Sequence, residues 1–152
     1  MAYGDVDELN AALGAVRAHA GRADLDRLLV GVQRDLFAIG AQLADPRRKV
    51  ASKRSKAAFS SAQVRRLERA IDAREARLPP LRAFVLPDGP PTAALLHVAR
   101  AVCRRAERSV VTLARESEVE ARIIVYLNRL SDLLFVLARY ESHRAGESEE
   151  RW

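Results

Sequence analysis

Residues 92–144 read TAALLHVARAVCRRAERSVVTLARESEVEARIIVYLNRLSDLLFVLARYESHR, two long stretches broken once by a short charged interval. The spacing predicts one helix from Thr92 to about Glu116 and another from about Glu118 to Arg144, each roughly 35 to 40 Å long at 1.5 Å per residue. Ser117 followed by Glu120 has capping-box spacing at the point where a tight helix-to-helix turn is needed. The two helices are therefore expected to lie antiparallel and adjacent.

Working outward toward the N-terminus, Pro79-Pro80 and the proline- and glycine-punctuated stretch from Leu81 to Pro91 separate this pair from a more polar helix. That helix is predicted to open at Ser60, with Gln63 completing a capping box, and to carry Val64, Leu67 and Ile71 up to Pro79. Before it, Leu25, Leu28, Leu29, Val32, Leu36, Ile39 and Leu43 recur at helical spacing from Asp24 to Pro46. The first helix is predicted from about Asp5 to Ala20, with Asp5 and Glu8 as its capping box and Gly21 as its stop. No convincing run of period two interrupts this pattern, so a sheet is not expected. The fold class is all-α, a five-helix bundle, and residues 1–152 form a single domain.

The net charge of +6 is concentrated in one place. Arg47, Arg48, Lys49, Lys53, Arg54 and Lys56 include all the lysines of the protein, and the rest of the chain has as many acidic as basic residues. A nucleic-acid binder working through this segment is a rival reading, but the neutral body argues for a solvated loop. No apolar run is long enough to span a bilayer and the first residues lack a signal-peptide pattern, so the expected location is the cytoplasm with no membrane partner. The single Cys103 reads as a small buried side chain, and three histidines offer no metal cluster. His97, three residues before Arg100, reads first as a hydrogen-bonded core or interface residue.

Arg100, Arg104 and Arg108 fall at i, i+4 and i+8, a stripe of like charge that needs a negative neighbour or open solvent. A solvated face or carboxylates from another helix would satisfy it, and so would a bound anion. Folding the last two helices about Ser117 sets Asn128 level with Glu107, and Asp132 near Arg104 and Cys103. Asn128, Ser131 and Asp132 then share a face opposite the arginines, a group suited to a nucleotide. Asp132 could equally serve only to orient an arginine. Phe84-Val85-Leu86 is apolar in the middle of a loop, and such side chains either plug under the loop or face a ligand.

Four stretches in order carry a family resemblance: residues 3–10 (YGDVDELN), 84–89 (FVLPDG), 103–108 (CRRAER) and 127–132 (LNRLSD). Together they resemble the PduO-type ATP:cob(I)alamin adenosyltransferases over nearly the whole chain. The resemblance implies a five-helix antiparallel bundle assembling as a homotrimer, with ATP, its Mg2+ and a reduced corrinoid bound at subunit interfaces. It implies transfer of the 5′-deoxyadenosyl group to cobalt with release of triphosphate. It places Arg104, Arg105, Glu107, Arg108 and Asn128 in the ATP site, makes Asp7 and Arg100 an intersubunit ion pair and gives Asp132 a supporting place. Phe84 is implied to pack under the corrin and displace the lower ligand of cobalt. Arg104, Phe84 and Asn128 are thus the residues expected to act on the reacting groups. A flavoprotein reductase and an adenosylcobalamin-dependent enzyme are the protein partners implied. Family members also carry a threonine- and glycine-rich segment upstream of the Tyr3-Gly4 motif. The chain starts where that segment should end, so the alternative is a non-catalytic trimeric relative that binds corrinoid with weak or no ATP binding.

Overall fold

The computed structural model describes residues 1–44, 59–148 and 150. Its five helices are α1 (Ala2–His19), α2 (Ala23–Ala44), α3 (Ser61–Glu75), α4 (Pro91–Ala114) and α5 (Ala121–Arg144). Among the described residues none of these helices is long and apolar enough to cross a membrane. The basic residues Arg47 to Lys56 lie outside the described residues.

The apolar positions expected at helical spacing are the ones that meet. Leu9, Leu13 and Val16 of α1 and Leu25, Leu29, Val32, Leu36 and Ile39 of α2 are buried in one core with Leu96, Ala106 and Val110 of α4. α4 packs on both α1 and α5, while α5 also packs on α3, so the last two helices form the centre of the bundle. The small side chains of Ala99, Cys103 and Ala106 allow α4 to approach α5 closely, and the Cys103 thiol donates to the Leu127 carbonyl oxygen at 3.2 Å. From Leu133 to Tyr140 only Phe135 escapes full burial, which is the pattern of a helix enclosed on all sides.

Two helix starts differ from the sequence expectation. α1 begins at Ala2 rather than Asp5, because Ala2 and Val6 are buried and the Asp5 N–H is already bonded to the Met1 carbonyl at 3.0 Å. Asp5 does not cap. Its carboxylate accepts from Ser109 and, at 3.4 Å, from Arg105, both on α4. Likewise Ser117 does not cap α5: its N–H closes the end of α4 on the Leu113 carbonyl at 2.9 Å, and α5 starts at Ala121 without a side-chain cap. The Ser60–Gln63 capping box is present, although α3 ends at Glu75 and reaches the prolines through a short turn.

A buried polar junction ties α2, α3 and α5 together. The Tyr126 hydroxyl donates to Asp35 at 2.8 Å, Arg66 pairs with the same carboxylate, and Phe59 meets the Tyr126 ring edge-on at 5.1 Å. Burial, with the Asp35 charge beside it, pushes the Tyr126 phenol well above its ordinary pKa, so it stays a donor at neutral pH. Tyr126→Phe should lower unfolding free energy by about 1.5 to 3 kcal/mol, the usual worth of a hydrogen bond to a charged group, with helix content unchanged. Chemical denaturation followed by circular dichroism checks this.

Candidate active site

The facing sides of α4 and α5 and the loop before α4 enclose a cavity of about 950 Å3. From α4 come His97, Arg100, Arg104 and Glu107, and from α5 come Asn128, Ser131, Asp132 and Phe135. Residues 81–85 complete the wall, among them Arg82 and Phe84. The α5 set lies at i, i+3, i+4 and i+7, a single face of the helix.

The antiparallel register sets the heights. Asn128 Nδ2 donates to Glu107 Oε1 at 3.1 Å, joining the two residues expected to lie level. The Ser131 hydroxyl turns back to the Asn128 carbonyl at 2.8 Å. Asp132 accepts from Arg129 at 2.8 Å, and Arg129 Nε lies 3.6 Å from Glu68 of α3. Asp132 thus does hold an arginine, while its carboxyl group still borders the cavity.

The two central arginines are poorly compensated. Arg100 lies over the Phe135 ring with 5.8 Å from guanidinium carbon to ring centroid, and its buried Nε has no hydrogen-bond partner among the described residues. Burial, and then the charge of Arg104, depress its pKa, yet a guanidinium remains protonated at neutral pH. Arg104 is exposed, and no ion pair to another described residue engages it. Of the cavity carboxylates, Asp132 is engaged by Arg129 and Glu107 by Asn128. The cavity therefore presents cationic groups with a fixed amide at one side and aromatic surface at the other. Such a site suits an anion attached to a less polar body.

The same helix sends its other arginines elsewhere. Arg105 pairs with Glu8 and Asp5 of α1, outside the large cavity. With Arg108, Ser109 and Thr112 it borders a depression of about 710 Å3 beside the start of α1. Arg108 also borders a smaller hollow that it shares with Arg104 and Glu107. Asp7 is exposed in a groove between α1 and α2 with Tyr3 and Phe37, so one chain does not bring it to Arg100. Phe84 is 78% exposed and is no plug beneath its loop. Arg82 and Phe135 were not singled out from the sequence. Extending the Asn128 face by one turn reaches Phe135, whereas nothing in the local pattern marks Arg82.

Bundle and cavity define an all-helical protein with a basic, partly aromatic pocket between its last two helices. Comparison with known proteins agrees. The family model described as cobalamin adenosyltransferase matches residues 1–141. The chain is 40% identical over 156 residues to the corrinoid adenosyltransferase MMAB of Bos taurus, a match covering 98% of this chain and 63% of that protein. It is 42% identical over 147 residues to the corrinoid adenosyltransferase PduO of Citrobacter freundii, covering 97% of this chain and 43% of that one. A variant of the PduO-type ATP:corrinoid adenosyltransferase from Lactobacillus reuteri, complexed with cobalamin and ATP, superposes with a TM-score of 0.88. That match has 34% identity and covers 99% of this chain and 83% of that one. The chain belongs to the cobalamin adenosyltransferase family. It spans less than two thirds of the length of the Bos taurus and Citrobacter freundii relatives.

Cys103 sits against this site but faces the core. It is fully buried, and burial, with Glu107 and Asp132 nearby, drives its thiol far above the ordinary range. Thiol reagents at pH 8 should leave it unmodified in the native protein and label it after denaturation, a contrast that mass spectrometry reads directly.

Proposed function

We propose that this chain transfers the 5′-deoxyadenosyl group of ATP to the cobalt of a reduced corrinoid. The observation that carries the reading is the gathering of Arg104, Asn128 and Phe84 around one cavity. Relatives named as corrinoid adenosyltransferases, and the Lactobacillus reuteri protein complexed with cobalamin and ATP, supply the substrates.

In this reaction the cobalt(I) lone pair forms the bond to C5′ of the ribose. The C5′–O bond breaks, triphosphate leaves with the bonding pair, and cobalt is oxidised to cobalt(III). The substrate is its own nucleophile, so the protein's work is placement and charge. Arg104 meets the triphosphate, whose negative charge grows as the bond breaks. Asn128 donates to the nucleotide after exchanging its bond with Glu107, and Glu107 fixes the amide until then. Phe84 offers an apolar face to the corrin and excludes the lower axial ligand. Mg2+ would enter with ATP and neutralise part of the phosphate charge beside Arg104.

A homotrimer completes the site. Within one chain Asp7 and Arg100 occupy different grooves, and Phe37 of the Asp7 groove is 77% exposed. Packing that groove on a second copy would bury Phe37 and bring Asp7 to Arg100, whose Nε has no hydrogen-bond partner among the described residues. Arg105 and Arg108 then flank the nucleotide from the depression beside α1. An adenosylcobalamin-dependent enzyme would take the product, and a flavoprotein reductase would supply the electrons.

Anaerobic assay with ATP and cob(I)alamin tests the reading: formation of adenosylcobalamin supports it, and its absence from the folded trimer refutes it. Corrinoid binding without ATP binding would favour the non-catalytic relative instead. Arg104→Ala should raise the ATP concentration needed for half-saturation and cut turnover by about 100-fold, the scale seen when one stabilising donor is lost. Phe84→Ala should leave ATP saturation near that of the unmodified chain and slow cobalt alkylation.

A further inference from the structure

Phe84 is mostly in solvent and sits on a loop, so the way the backbone of that loop is held contributes to its position. Both attachments of that loop lead to the C-terminal end of α5. Gly89 has φ +115, a conformation that side-chain-bearing residues rarely adopt, and it rests directly on α5. A Cβ placed there would lie 2.5 Å from Ser142 Oγ and 3.1 Å from the Ala93 Cβ. Three residues earlier, the Leu86 N–H donates to the Glu150 carbonyl at 2.8 Å.

Glu150 is brought to Leu86 by the way α5 ends. Gly146 takes φ +75, and the Glu147 N–H closes on the Ser142 carbonyl at 3.0 Å, a Schellman turn that reverses the chain. Ser142 therefore serves twice, its side chain as the seat of Gly89 and its carbonyl as the anchor of the turn. Phe84 stands just beyond the two attachments, on the cavity side.

We infer that the Ser142–Gly89 seat and the Leu86–Glu150 bond position Phe84, making the end of α5 a determinant of the corrinoid side of the site. Arg104 and Asn128 lie about three or more turns along α4 and α5 from Ala93 and Ser142, where the loop meets those helices, so displacement of the loop should change one half of the reaction only. The functional half of this inference rests on the adenosyl transfer proposed above.

Two full-chain variants press on the seat from opposite sides, Gly89→Ala from the loop and Ser142→Val from the helix. Amide hydrogen exchange at Leu86 reads the attachment without reference to activity. Either variant should speed it roughly five- to tenfold, the population change expected for one hydrogen bond. Cobalt alkylation should slow and the corrinoid concentration for half-saturation should rise, with ATP half-saturation unchanged. In a Phe84→Ala background the same substitutions should add nothing further. Leu86 exchange at the native rate in both variants, an equal rise in ATP half-saturation, or a full corrinoid effect without Phe84 would each overturn the inference. If the unmodified chain forms no adenosylcobalamin, the proposed reaction fails, whereas Leu86 exchange still decides whether seat and bond are coupled.

Discussion

The antiparallel contact between α4 and α5 is the constraint from which the site follows. Its closeness depends on small residues, Ala99, Cys103 and Ala106, which leave room for the backbone of α5. Its register is marked at two heights by bonds of different kinds, Cys103 to the Leu127 carbonyl in the core and Asn128 to Glu107 at the cavity edge. A slide of one residue along either helix would turn Arg104 and Asn128 about 100° relative to each other, because each residue advances the helix by that angle at 3.6 residues per turn. Packing of apolar volume therefore fixes the geometry of charge, since a close-packed core tolerates no such slide.

The charge itself is arranged by unequal compensation. α4 carries arginines on several faces, and Arg105, toward α1, is paired with Glu8 and Asp5. On the α5 side, carboxylates are present but engaged, Asp132 by Arg129 and Glu107 by Asn128. What remains is a positive cavity whose hydrogen-bonding groups are already oriented. Such preorganised donors are the kind of groups that stabilise negative charge without reorganising when it arrives. Aromatic surface from Phe84 and Phe135 gives the same cavity an apolar end, so one enclosure suits a triphosphate and a large ring together.

The cavity residues on helices are legible in the sequence because helical geometry converts spacing into direction. Folding about Ser117 placed Asn128 level with Glu107, and the structure joins them. The two residues lie level although Ser117 is no cap, since the turn between the helices is centred near it while α5 itself starts three residues beyond the expected Glu118. Asp5 misled for a related reason. Capping-box spacing is a local signal, and burial of Ala2 and Val6 against the core outweighed it. Arg105 stood beside Arg104 in one motif, yet neighbours on a helix point about 100° apart, and only the position of α1 shows where Arg105 finds its partners.

By itself the sequence determined the number and type of the helices, the antiparallel pairing of the last two, and the facing of Arg100 and Arg104 toward Asn128, Ser131 and Asp132, whereas Arg108 of the same expected stripe borders separate hollows. These are consequences of periodicity and of short connections, both local properties. Tertiary structure alone decided that Phe84 stands outward rather than under its loop, that Arg82 joins the cavity, that Asp7 and Arg100 occupy separate grooves of the chain, and that the end of α5 holds the loop through Ser142 and Glu150. Each of these depends on contacts between segments far apart in the chain or on a backbone free of regular repeat, where spacing carries no directional information.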